Sequence, residues 1–91
     1  MRLTRPALRD IDRAVEYYLR AAPAQAERFY DEVRQVMSRL ADHPESSQRT
    51  SRATVRRAVL THFPFVVFYA LVADEVVIHH VRHASRRPWA G

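Results

Sequence analysis

The chain has 91 residues, of which 47% are hydrophobic and 27% charged, and it carries a formal net charge of +5. At this length it forms one domain, residues 1–91, with a modest core that buries ~60–65% of the unfolded surface. No cysteine is present and the single glycine is Gly91, which excludes disulfide frameworks, thiolate zinc sites, cysteine nucleophiles and glycine-rich phosphate loops.

The longest apolar run, Phe63–Ala73, is too short to cross a bilayer. Asp10, Asp12 and Glu16 interrupt the stretch where a signal peptide would be uniformly apolar. A small cytoplasmic domain without membrane attachment is expected. Its charge is unevenly laid out. All fifteen basic residues are arginine, and residues 1–45 hold eight arginines against eight acids. Residues 46–91 hold seven arginines against Asp74 and Glu75, with four of the five histidines. That asymmetry points to a polyanion or an acidic partner for the second half, or simply to arginine as a solubilising residue.

In chain order, Met1–Leu3 reads as a short edge strand. Thr4 fits a helix N-cap, with Pro6 in the first turn. Leu8, Ile11, Val15, Tyr18 and Ala22 then recur at helical spacing, with Arg9, Asp10, Arg13, Glu16, Tyr17 and Arg20 opposite. The helix should end near Ala21, because the residue before Pro23 is driven out of helical geometry. Pro23 starts a second helix, whose apolar stripe is Ala26, Phe29, Tyr30, Val33, Val36, Met37 and Leu40. So short a connection folds the two into an antiparallel hairpin. Residues 42–54 form a polar loop. Three antiparallel strands follow, at Val55–Thr61, Pro64–Val72 and Glu75–Arg82. The fold class is therefore α+β: a helical hairpin packed on a small antiparallel sheet.

The middle strand is apolar on both faces, with Phe65, Val67, Tyr69 and Leu71 on one and Val66, Phe68, Ala70 and Val72 on the other. Two helices cover only one of them. The other face would either receive a partner segment or lie under the C-terminal stretch containing Pro88 and Trp89.

No cofactor or metal is expected. His79 and His80 point to opposite faces of a regular strand, and His79 and His83 would stand ~13 Å apart, too far for joint chelation. The acids lie mostly on polar helix faces, and no serine has a nucleophile-elbow context. The basic cluster Arg82, His83, Arg86 and Arg87, with Arg56-Arg57 at the start of the sheet, suits phosphate or an acidic partner. A histidine titrating near neutrality could also move a proton in RNA cleavage.

The ordered set of motifs resembles the RelE/ParE superfamily of bacterial toxins from type II toxin–antitoxin modules. The matching stretches are Pro6-Ala7-x-x-Asp10-Ile11, Ala26-x-x-Phe29, Leu40-x-x-His43-Pro44 and Val55-Arg56-Arg57. Phe63-Pro64-Phe65-Val66-Val67-Phe68-Tyr69 and Val81-x-His83-x-x-Arg86-x-Pro88 complete the set. The resemblance implies a toxin neutralised by a cognate antitoxin in a hetero-oligomer, its acidic or apolar tail covering Phe65, Val67, Tyr69, Leu71 and Arg56. RelE-like members cut mRNA on the ribosome with basic residues, several of them lysines, and commonly a C-terminal tyrosine. ParE-like members poison DNA gyrase. This chain has no lysine, and its last tyrosine is Tyr69, so the resemblance is closer to the ParE side. Arg82, His83, Arg86, Arg87 and Trp89 are then the target-binding set. A ribonuclease would need Arg56, Arg82, His83 and Arg86, and a non-toxic binding module on the same fold would need none.

Overall fold

The computed structural model describes residues 1–45, 48–49 and 54–85. Strand β1 (Arg2–Leu3) precedes helices α1 (Arg5–Ala21) and α2 (Pro23–Asp42). Strands β2 (Gln48–Arg49), β3 (Arg56–Val59), β4 (Phe65–Val72) and β5 (Glu75–His83) follow. The strands form one sheet in the order β1-β5-β4-β3-β2, parallel only between β1 and β5. The α+β class and the helical hairpin are as expected. The loop is not wholly irregular, because Gln48 and Arg49 pair with Arg57 and Arg56 and add a fifth strand. Two residues are too few for any hydrophobic period to announce them.

Helix α1 starts where the sequence requires. Thr4 is extended, and its hydroxyl accepts from the Ala7 N–H at 3.2 Å. The same hydroxyl donates to the His79 carbonyl at 2.9 Å, while the Thr4 N–H donates to the Ile78 carbonyl at 3.0 Å. One residue thus caps the helix and fastens it to β5 across 75 positions of sequence. At the other end Ala22 serves as the boundary of both helices, extended at φ −158° ahead of Pro23.

The phase of α1 differs from the expected stripe. Ala7, Ile11 and Ala14 are the buried residues, Val15 and Tyr18 pack at the margin, and Leu8 is 50% exposed. Small side chains at 7 and 14 let the helix axis approach the sheet closely. Counting large apolar residues instead places the contact about one position too far along the chain. On α2, Ala26, Phe29, Val33, Val36 and Leu40 are buried as expected, whereas Tyr30 is 47% exposed.

The helices cover the face of β4 that carries Phe65, Val67 and Tyr69. These residues join Ala7, Ile11, Phe29, Val33, Leu40, Ile78 and Val81 in the main core. Tyr69 is fully buried, and its hydroxyl donates to the Pro44 carbonyl at 2.6 Å, so the buried phenol is satisfied. Tyr18, Phe29, Phe63 and Phe65 form a ring cluster with centroids 4.9–6.4 Å apart. Their edge-to-face contacts join both helices to the start of β4.

Glu32 is the one buried charged side chain among the described residues. The polar-face assignment of the acids therefore fails at this position. Its carboxylate accepts from the Thr61 and His62 backbone N–H groups and pairs with His62 Nδ1 at 3.0 Å. It thus satisfies the donors of the β3–β4 turn, which the strands leave unpaired. Glu32→Ala is expected to lower stability by about 2–3 kcal/mol, since two backbone donors lose their acceptor. His62→Ala should cost less than 1 kcal/mol, because that side chain is 80% exposed. Urea unfolding of the two variants checks this ranking.

Candidate functional site

The basic residues of the second half do not converge on one point. Arg56 pairs with Tyr69, on the helix-covered side, and its Nη1 donates to the Glu45 carbonyl at 3.4 Å. Arg82 pairs with Val66 and His83 with Phe65, three and four positions away along β4 from the partner of Arg56. The structure therefore leaves Arg56 apart from Arg82 and His83. Arg86, Arg87 and Trp89 lie outside the described residues, as does Pro88. Arg57 is the arginine of β3 that shares a sheet face with Arg82. It pairs with Phe68, two positions from Val66 on the same face.

That far face is not open. Val55, Val66 and Phe68 form their own buried cluster, and Ala70 and Val77 beside them are buried as well. The expected exposed apolar face is thus closed within the chain itself. Arg57 and Arg82 flank the cluster, each half-buried, with its Nε buried and unpartnered. Their aliphatic stems suit the rim of an apolar patch.

The residues expected to bind an antitoxin differ in their access to solvent. Val67 and Tyr69 are fully buried under the helices and Phe65 is half-buried there, so a partner cannot reach the first two without unfolding the core. Of that set Leu71, 37% exposed, and the half-buried Arg56 and Phe65 retain access to solvent. A periodicity of two shows that both faces are apolar, but it does not say which one the helices choose.

A cleft of about 180 Å³ opens between α1 and the end of β5, lined by Asp10, Arg13, Ala14, Tyr17, Phe65, Val81, Arg82 and His83. Asp10 organises it. Its Oδ2 accepts from the Val81 backbone N–H at 3.0 Å and lies 2.8 Å from His80 Nδ1, both side chains being largely buried. The reading of Asp10 as a solvent-face residue was set by its charge. Its position, three after Ala7 and four before Ala14, places it on the row that meets the sheet.

A β-bulge contributes to the same region. Phe68 faces His80 and Tyr69 faces Ile78, so His79 is an extra residue in β5. The strict alternation that would send His79 and His80 to opposite faces is broken there. Among the described residues no three histidines or acids gather around one point.

His83 packs edge-on against Phe65 at 5.3 Å. Its Nδ1 accepts from the Ser85 backbone N–H at 3.1 Å, with the Ser85 hydroxyl at 2.7 Å. In the neutral ring this fixes the proton on Nε2, which leaves His83 a donor rather than a base toward the cleft. Arg13 and His83 thus stand beside a floor of Ala14, Phe65 and Val81, while Asp10 Oδ2 is already engaged. The arrangement can hold an anion. It does not assemble a proton-transfer pair.

The sheet order and the two-helix hairpin define a small α+β protein. Residues 1–88 match the family described as ParE toxin of the type II toxin–antitoxin system parDE. Accordingly, the chain belongs to the ParE toxin family. Its fold is similar to that of a solved structure of the chromosomal ParDE TA system from P. aeruginosa, with a TM-score of 0.81. That likeness covers 92% of this chain and 94% of the other at 18% sequence identity. No curated protein sequence matches the chain.

Burial raises the Tyr18 phenol above its usual value of 10.0, and the neighbouring Tyr17 acts in the same direction. Below about pH 10 the phenol is neutral in both folded and unfolded chains, so it adds no pH dependence. Above that the unfolded chain ionises first, and stability falls until the pH passes the folded value. Tyr18→Phe should therefore show a shallower loss of stability above about pH 10 than the unsubstituted chain, in thermal melts at rising pH.

Proposed function

We propose that this protein is a ParE-like toxin that arrests growth by poisoning DNA gyrase, and that a cognate antitoxin neutralises it in a hetero-oligomeric complex. The observation that carries the reading is the match of residues 1–88 to the ParE branch. The scatter of Arg56, Arg82 and His83 favours the same branch, because ribonuclease chemistry needs its acid, base and phosphate ligands around one scissile bond. So does the occupied Nδ1 of His83. With gyrase as the target, the activity belongs in the cytoplasm.

In this reading the target is met at the end of β5, by Arg82 and His83 together with Arg86, Arg87 and Trp89. The antitoxin covers apolar side chains that the monomer leaves exposed. On the hairpin these are Leu8, Leu19 and Tyr30, 50%, 56% and 47% exposed; at the sheet ends they are Val59, Leu71 and Val72.

Purified protein added to gyrase, relaxed plasmid and ATP should abolish supercoiling and leave linear DNA after protein digestion. Addition of the antitoxin encoded beside this chain should restore supercoiling. Normal supercoiling accompanied by codon-phased cuts in translated mRNA would replace this reading with the ribonuclease one.

A further inference from the structure

Residues 1–45 are neutral in total, with eight arginines against eight acids, yet the fold does not spread those charges evenly. The exposed charges of α2 balance, with Arg28, Arg34 and Arg39 against Glu27, Asp31 and Asp42. Those of α1 do not. Arg5, Arg9, Arg13 and Arg20 face solvent against Asp12 and Glu16. The difference arises at Asp10, which turns inward to meet the Val81 N–H and His80 Nδ1 and so no longer offsets the arginines beside it.

Glu16 is committed to Arg20. Arg5, Arg9 and Arg13 make no hydrogen bond or ion pair among the described residues. They stand at steps of four, so they form one ridge about 12 Å long at the usual helical rise. Tyr17, 62% exposed, continues the row. The row is held in place, because Thr4 and Asp10 tie the helix to β5.

Against an acidic peptide, exposed ion pairs contribute little. A protein interface also needs a buried apolar or aromatic anchor, which the row lacks before Tyr17. Against a duplex, each neutralised phosphate releases condensed counterions, so arginines without apolar support still add affinity. Single strands are held by stacking on successive aromatic side chains, and the row offers one tyrosine. We infer that Arg5, Arg9 and Arg13 on the outer ridge of α1 dock on the phosphate backbone of a nucleic-acid duplex, positioning the chain without reading base sequence. Such docking is independent of the gyrase and antitoxin readings, which concern other side chains.

The test is a fluorescence-anisotropy titration of the full-length chain with a labelled duplex of mixed sequence, DNA in one arm and RNA in the other, at several salt concentrations. Affinity should fall steeply as salt rises. Replacing Arg5→Gln, Arg9→Gln and Arg13→Gln together should weaken binding by about tenfold or more at low salt. The slope of log affinity against log salt should shrink by about 2.7, three phosphates at ~0.9 each. Replacing Arg28→Gln, Arg34→Gln and Arg39→Gln removes the same charge from α2 and should leave the slope nearly unchanged. If the α1 triple variant fails to fold, Arg9→Gln alone should still reduce the slope by about 0.9.

Tighter binding in one arm names the duplex. Equal losses in the two triple variants overturn the inference, since net charge alone would then account for binding. So does tighter binding of a single strand than of the duplex. Displacement of the duplex by a glutamate-rich peptide of equal charge, at equal concentration, assigns the row to an acidic protein instead. Failure of the unsubstituted chain to bind either duplex at low salt also overturns it, while the supercoiling and antitoxin assays keep their own outcomes.

Discussion

The attachment of the first helix to the last strand governs the architecture. β1 pairs with β5 for only two residues, Arg2 with Val77 and Leu3 with Ile78. Beyond them the edge of β5 would present bare backbone groups to solvent, a hazard in any sheet. Thr4 and Asp10 take over that role from a strand. The threonine engages the His79 carbonyl and the aspartate engages the Val81 N–H. A helix therefore closes the edge using side chains instead of a ladder. A cleft remains beside it, with Arg13 and Tyr17 on one wall and the end of β5 on the other.

Two polar anchors organise the molecule in the same manner. Asp10 serves one end of the sheet, and Glu32 serves the β3–β4 turn. Each is an acid on a helix that accepts backbone hydrogen bonds from a strand end or turn. In a chain of this size, where apolar burial is limited, such contacts fix the orientation of the helices over the sheet. The ring cluster of Tyr18, Phe29, Phe63 and Phe65 fills the space between them.

Much of this fold is legible in the sequence because its periods are clean. The switch from helical spacing to alternation near Val55 separates hairpin from sheet, and Ala22-Pro23 marks the break between helices. What the pattern hides are features that depend on a partner far away in sequence. Glu32 looks like any surface acid until the turn at Thr61 and His62 is folded against it. Asp10 stands in a row of alanines, and alanine carries too weak a hydrophobic signal to identify the contact face. The extra residue at His79 shifts the register, so alternation counted from Val76 gives the wrong facing for His80. For the same reason Arg57, not its neighbour Arg56, shares a face with Arg82.

The closure of β1 and α1 onto β5 also has a consequence for biosynthesis. The strand that receives the amino-terminal segment is made some 75 residues after Thr4. Until His79 and Val81 have left the ribosome, Thr4 and Asp10 of the first helix lack the strand groups they bind. Contacts so distant in sequence form only after β5 has been made. A growing chain of this kind therefore carries its first strand and helix unattached at the β5 edge until that strand emerges.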